Sequence, residues 1–232
     1  MEGIIKYDLL YQPKDLTIGT NLQPLIAWRE TLYRMHLIGK SAHKYGGMAY
    51  GNISQRTIAD DAAATGGNSF LVTGTLTGHM KKLTQQHFCL VKSVDVKNSI
   101  MDAEGPCKPS SEALSHGAIY QLDSNIRFVI HIHCPELWYK SSALGITETD
   151  EKNRYGSPAL AEEIQQLYES GKISETAIVA IKGHQDGLLA FGSDLDEVAS
   201  LVIQKATYAF ALSSTPVDLL VNPESSSMSL HS

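Results

Sequence analysis

The sequence predicts an α/β sandwich: a mixed sheet with helices packed on its faces. Short apolar runs of strand character alternate along the chain with longer segments whose apolar residues recur at helical spacing. No repeat and no linker interrupts that alternation. At 232 residues the chain is long enough for one core of ordinary size. Residues 1–232 are therefore expected to form a single domain, with 1–20 a lead-in and 222–232 a flexible tail.

The first helix is expected over Pro24 to Ile38. Leu25, Trp28, Leu32 and Met35 fall on one stripe, with His36 at its edge. Pro24 suits a first turn and Gly39 a stop. Gly46 to Arg56 reads as a strand or hairpin arm around Gly51-Asn52-Ile53-Ser54. Ser69 to Thr73 reads as a strand leading into the Gly/Thr-rich Gly74-Thr75-Leu76-Thr77-Gly78, and Phe88 to Val94 as another. A loop through Gly105-Pro106 and Lys108-Pro109 precedes a helix from about Ser111 to Gln121. A strand follows at Ile126 to His133, then a helix over Pro158 to Tyr168 and a strand over Thr176 to Ile181. Gly187 to Phe191 continues the strand run. Asp194 to about Leu212 is a long helix, its first turn carrying Asp194, Asp196 and Glu197 at the positive end of the dipole. Pro216 to Val221 is a candidate last strand.

Composition narrows the partners. Hydrophobic residues make up 43% and charged residues 19%, a globular balance. A net charge of −6 with no basic stripe argues against nucleic acid or an anionic membrane. The first eight residues lack the apolar region of a signal peptide, and no apolar stretch is long enough to cross a bilayer. Cys89, Cys107 and Cys134 are odd in number and widely spaced, which fits a reducing, cytoplasmic setting and not a disulfide framework. Cys89 reads as core, and Cys134 as packed.

The chemistry begins at Arg127-Phe128-Val129-Ile130-His131-Ile132-His133. Side chains alternate along a strand, so Phe128, Ile130 and Ile132 face one way into a core. Val129, His131 and His133 face the other, and both rings can reach one point in space. That is half of an open three-histidine metal site; the plainer alternative is a pair of hydrogen-bonded rings. His184 follows another apolar strand in the Gly-flanked turn Gly183-His184-Gln185-Asp186-Gly187, where it is either a third ligand or a loop histidine capping a carbonyl. Pro109-Ser110-Ser111-Glu112 sits at a helix start, where amides, dipole and hydroxyls can cradle an anion. Those residues can equally be an ordinary N-cap. Glu112 and His116 share a helix face, which lets His116 orient Glu112 from behind. Neither Gly51-Asn52-Ile53-Ser54 nor Thr73 to Gly78 matches a nucleotide-binding fingerprint.

Taken in order, Gly51-Asn52-Ile53-Ser54, the Thr/Gly turn with Leu83-Thr84, Pro109-Ser110-Ser111-Glu112, His131-Ile132-His133, Tyr155-Gly156-Ser157-Pro158 and Gly183-His184-Gln185-Asp186-Gly187 resemble the class II aldolase/adducin family from Leu22 to Leu212. The resemblance implies a three-layer α/β/α sandwich around a mainly antiparallel sheet and a homotetramer with sites near subunit interfaces. It implies a divalent ion, typically Zn2+, on His131, His133 and His184, with Glu112 as acid/base. Asn52, Gly74, Thr75, Ser110 and Ser111 would line an anion pocket, with His116 behind Glu112. The implied activity is aldol or retro-aldol cleavage of a small phosphorylated ketose or hydroxy-carbonyl compound through a metal-stabilised enediolate. The alternatives are a sugar-phosphate 4-epimerase, a dehydratase, or a non-enzymatic adducin-like scaffold. The family's common His-Gly is here His184-Gln185-Asp186-Gly187, and its C-terminal tyrosine segment is not recognisable. Tyr155, Tyr168 and Tyr208 are the candidate proton donors.

Overall fold

The computed structural model describes residues 5–17, 19–57 and 68–213. Its elements are, in chain order, β1 Asp8–Pro13, α1 Gln23–Arg34, β2 Gly39–Lys40, β3 Ala49–Tyr50, β4 Asn52–Arg56, β5 Phe70–Thr73, β6 Phe88–Asp95, β7 Ile100–Gly105, α2 Ala113–Leu122, β8 Phe128–His133, α3 Pro135–Tyr139, β9 Thr147–Glu148, α4 Pro158–Glu169, β10 Ile178–Ala180, β11 Gly187–Gly192 and α5 Leu195–Ser213. The expected strand at 216–221 and the tail at 222–232 lie outside the described residues.

Among the described residues, nine strands form one sheet in the order β1-β7-β6-β5-β4-β8-β11-β10-β9, and β2 and β3 form a small separate ribbon. The interior pairings are antiparallel, while β1 on β7 and β9 on β10 at the two edges are parallel. The sheet is thus mixed and mainly antiparallel. Leu25 and Leu32 of α1, Leu137 of α3 and Val198, Val202 and Ala206 of α5 pack with Ile130, Ile132 and Leu188 on one face. Leu114 and Ile119 of α2 and Leu160 and Ile164 of α4 pack with Val72, Val91, Val129 and Leu189 on the other. Helices on both faces make three layers. Cys89 and Cys134 are buried in these cores, as the sequence predicts. No helix among the described residues is long and apolar enough to cross a membrane.

Several boundaries differ from the sequence reading. The lead-in contains β1, whose half-exposed residues give no clear apolar alternation. Ile100–Gly105, read as loop, is β7, and Pro135–Tyr139 is an unforeseen short helix. Helix α1 stops at Arg34, because His36 takes a left-handed φ of 59° that turns the chain before Gly39 is reached. Helix α2 begins at Ala113, two residues later than expected, after a turn in which Ser110 O accepts from Ala113 N at 3.0 Å.

A candidate metal centre on the central strand

Strand β8 lies between β4 and β11, and the pairing register builds the site. Asn52 of β4 stands opposite His131, and Gly187 of β11 opposite His133. The turn entering β11 then swings His184 back over the same face. The three histidines offer ligand atoms that all lie within 4.8 Å of one another. Their ring centroids are 4.9 Å (His131–His133), 5.1 Å (His131–His184) and 4.7 Å (His133–His184) apart.

The ring nitrogens are set up to ligate. His131 Nδ1–H donates to Leu188 O at 3.0 Å, which leaves Nε2 with a lone pair. His131 Nε2 and His133 Nε2 converge to 3.1 Å. Two nitrogens at about 2.0–2.1 Å from a tetrahedral zinc would stand about 3.3 Å apart. Burial, with repulsion from His184, His131 and Lys44, holds His133 well below the usual imidazole range, so its ring is neutral. Neutral imidazole is the form that binds a metal. Residues of this type and spacing fit a divalent ion.

Glu112 is wholly buried at the mouth of α2, with Oε1 3.8 Å from His184 Nδ1. The turn that carries it is pinned from the N-terminal lead-in, where the Tyr7 hydroxyl donates to Ser110 O at 2.7 Å. His116 does not bond to Glu112. Its Nδ1 lies 2.6 Å from Ser54 Oγ, which in turn is 2.8 Å from the Tyr120 hydroxyl. His116 Nε2 is buried with no hydrogen-bond partner among the described residues. Burial, then the neighbouring His131, pushes its basicity down, so this ring too is neutral.

The five residues expected to line an anion pocket fall around the start of α2 and the end of β5. Gly74 forms a bridge with Pro109, and its amide donates to His87 O at 2.8 Å. The amides of Thr75 and Ser110 donate to Lys108 O and Thr73 O at 3.0 and 3.2 Å, and the Glu112 amide to Ser110 Oγ at 3.3 Å. With those amides committed, this corner offers an anion the hydroxyls of Ser110, Ser111 and Thr75 and the carboxamide of Asn52. Asn52 Oδ1 is buried without a hydrogen-bond partner among the described residues.

Of the three candidate tyrosines, only Tyr155 reaches the centre. Its ring stacks on His184 at 4.4 Å, and its outer face is covered by Lys6 Nζ at 3.3 Å from the ring centroid. Tyr168 donates to Asp123, and Tyr208 is 50% exposed on α5. Two tyrosines missed in the sequence are present instead. Tyr45 and Tyr50, from the β2–β3 ribbon, meet His133 with ring centroids 4.6 and 5.3 Å away, and the Tyr45 hydroxyl donates to Asp186 Oδ2 at 2.7 Å. The one sequence signal for them was the Gly46-Gly47 pair, a turn mark beside Tyr45.

The His184 turn depends on a close backbone approach at Gly183. A Cβ there would collide with Asn153 O and stand 2.9 Å from Glu151 O, both backbone atoms that cannot swing aside. Gly183→Ala should therefore cost about 1–3 kcal/mol and lower the thermal midpoint by several degrees. An unchanged midpoint in calorimetry would mean that the turn shifts at no cost.

The family model for the class II aldolase and adducin N-terminal domain matches residues 40–209. No curated protein matches the sequence. Among solved structures, the sugar-phosphate aldolase from Thermotoga maritima is similar at a TM-score of 0.65 and 17% identity, covering 87% of this chain and 97% of that one. The l-fuculose-1-phosphate aldolase from Thermus thermophilus is similar at 0.55 and 19%, covering 83% and 95%. YgbL from Escherichia coli, a candidate aldolase/epimerase/decarboxylase, is similar at 0.55 and 16%, covering 84% and 90%. At these identities the structures speak to the fold, and the fold agrees with the family model. The chain belongs to the class II aldolase and adducin N-terminal domain family.

Proposed function

We propose that the protein is a metal-dependent lyase that makes or breaks a carbon–carbon bond in a small phosphorylated ketose or related hydroxy-carbonyl compound. The observation that carries this is the convergence of His131, His133 and His184 within 4.8 Å, beside the fully buried Glu112, in a chain of this family. A dication held by the three imidazoles, most simply Zn2+ given their donor set, would stand beside that carboxyl group. When bound, such an ion supplies Lewis acidity to a carbonyl oxygen and a neighbouring hydroxyl.

The residues divide the remaining work. His131 is fixed as a ligand by its Nδ1–H bond to Leu188 O. Glu112 removes or returns the proton at the substrate carbon, and its burial keeps bulk water from competing for that proton. Ser110, Ser111, Thr75 and Asn52, with the Gly74 turn, take the phosphate or an equivalent oxygen-rich group. His116, bonded to Ser54, holds the wall of the site behind the ligand strand. A homotetramer with sites near subunit interfaces, in the cytoplasm, belongs to the same proposal, and light scattering tests the assembly.

The deciding measurement is the metal content of wild type and His184→Ala after desalting. About one zinc-like ion per chain in wild type, lost in the variant, is expected for an open three-histidine site. A screen of phosphorylated ketoses for retro-aldol cleavage follows from that result. A wild type that binds neither zinc, manganese nor cobalt would instead favour a non-enzymatic scaffold.

A further inference from the structure

His131, His133, His184 and Glu112 are each 5% exposed or less, yet any ion or substrate must reach them. The element lying over His133 is the 41–48 segment that joins β2 to β3. Its Tyr45 ring meets His133 edge-on, Tyr50 backs it at 5.0 Å, and the Tyr45 hydroxyl is held by Asp186 Oδ2. The backbone bonds of the segment close on itself, Gly47 N to Lys44 O and Met48 N to Tyr45 O. Residues 42–44 and Gly46 are exposed. Nothing lies within 4 Å of a Cβ built at Gly46 or Gly47, both at positive φ.

The Tyr45–Asp186 contact joins two strained residues. Tyr45 has φ 53° and Asp186 φ 62°, and neither is glycine. A bulky side chain adopts that region only where surrounding contacts hold it there. Asp186 is 2% exposed, and its Oδ1 has no hydrogen-bond partner among the described residues. The Tyr45–Asp186 bond ties the 41–48 segment to the turn that carries His184.

We propose that the 41–48 segment is the closing element of the metal centre, that Tyr45 seals it over His133, and that the Tyr45–Asp186 hydrogen bond is the latch. This rests on the metal reading above, so two readouts separate the failure of one from the failure of the other. In the first, zinc-loaded protein is mixed with excess chelator and zinc release is followed with a zinc-sensitive dye. Tyr45→Phe, which removes only the latch hydroxyl, should release zinc roughly tenfold or more faster, as expected for loss of a hydrogen bond to a charged acceptor. Tyr45→Ala should be faster still. Asp186→Asn, whose amide oxygen still accepts from Tyr45, should lie between Tyr45→Phe and wild type. Bound zinc at equilibrium should not change in Tyr45→Phe, because the bond is lost from the metal-free and the zinc-loaded protein alike, and the thermal midpoint of both should fall together by the few degrees that one hydrogen bond is worth.

In the second readout, metal-free protein is treated with diethyl pyrocarbonate, and modification of His131 and His133 is read by peptide mass spectrometry. It should accelerate in the same order across the variants. Equal release and equal modification in wild type and Tyr45→Phe would overturn the latch. A loss of equilibrium zinc without faster histidine modification would overturn it as well, and make Tyr45 a support of the ligands. A wild type that holds no zinc would sink the metal reading alone, and histidine modification would still decide whether the segment closes the site.

Discussion

Glu112→Gln should leave a folded protein that keeps its ion and turns over about 10²- to 10⁴-fold more slowly, the usual cost of removing a positioned acid or base. The substitution is nearly isosteric, so the cavity at the mouth of α2 stays filled. Glu112 lies outside the group of three converging ligand atoms, and its Oε1 stands 3.8 Å from His184 Nδ1. The ion should therefore survive where the proton carrier does not. The apo variant should fold as wild type does, because the amide fills the buried space of the carboxyl group. Metal analysis beside a cleavage assay gives the answer. Full turnover in Glu112→Gln would remove Glu112 from the role of base, and loss of the ion would make it a ligand.

His131→Ala should show the opposite pattern, with turnover lost because the ion is lost. His131 is the middle ligand. It stacks on His184, touches His133 through the paired Nε2 atoms, and is oriented by Leu188 O. Outer-sphere partners of metal ligands typically cost 10–100-fold in affinity when removed, so loss of the ligand itself should cost at least about a hundredfold. A ligand that binds only the native state stabilises it by about 2.7 kcal/mol at a hundred times its dissociation constant. Added zinc should accordingly raise the thermal midpoint of wild type and leave that of His131→Ala unmoved. A zinc-dependent rise of equal size in both proteins would place the ion elsewhere.

Much of the centre was legible in the sequence because its chemistry is local. Two-residue spacing on a strand fixes His131 and His133 on one face wherever the strand lies in the sheet. A helix start likewise fixes Glu112. Tyr45 and Asp186 were not legible. They are 141 residues apart and meet only because β8 and β11 pair and the β2–β3 ribbon folds over them. The same limit explains the tyrosines, since the ring that stacks on His184 comes from the 154–157 turn, beside the isolated bridge between Arg154 and Gly183. In the fold, most buried strands announced themselves by apolar runs, while β7 did not, because Asp102 and Glu104 interrupt its apolar residues. Strand β1 did not, because it adds to a sheet edge through backbone bonds and keeps little of its surface out of water.

The place of β8 in the sheet bears on how the ion relates to the fold. Both neighbours, β4 and β11, bond it along its length, and apolar side chains cover its two faces. The imidazoles are thus held apart from any ion, as a socket is shaped before its plug. Chelation should empty this protein without unfolding it, unlike a domain whose folding energy is its metal. On the metal reading proposed above, the ion would be an exchangeable guest, with donor chemistry and supply deciding which metal sits there in a cell. One finished scaffold could run with more than one cation as availability changes.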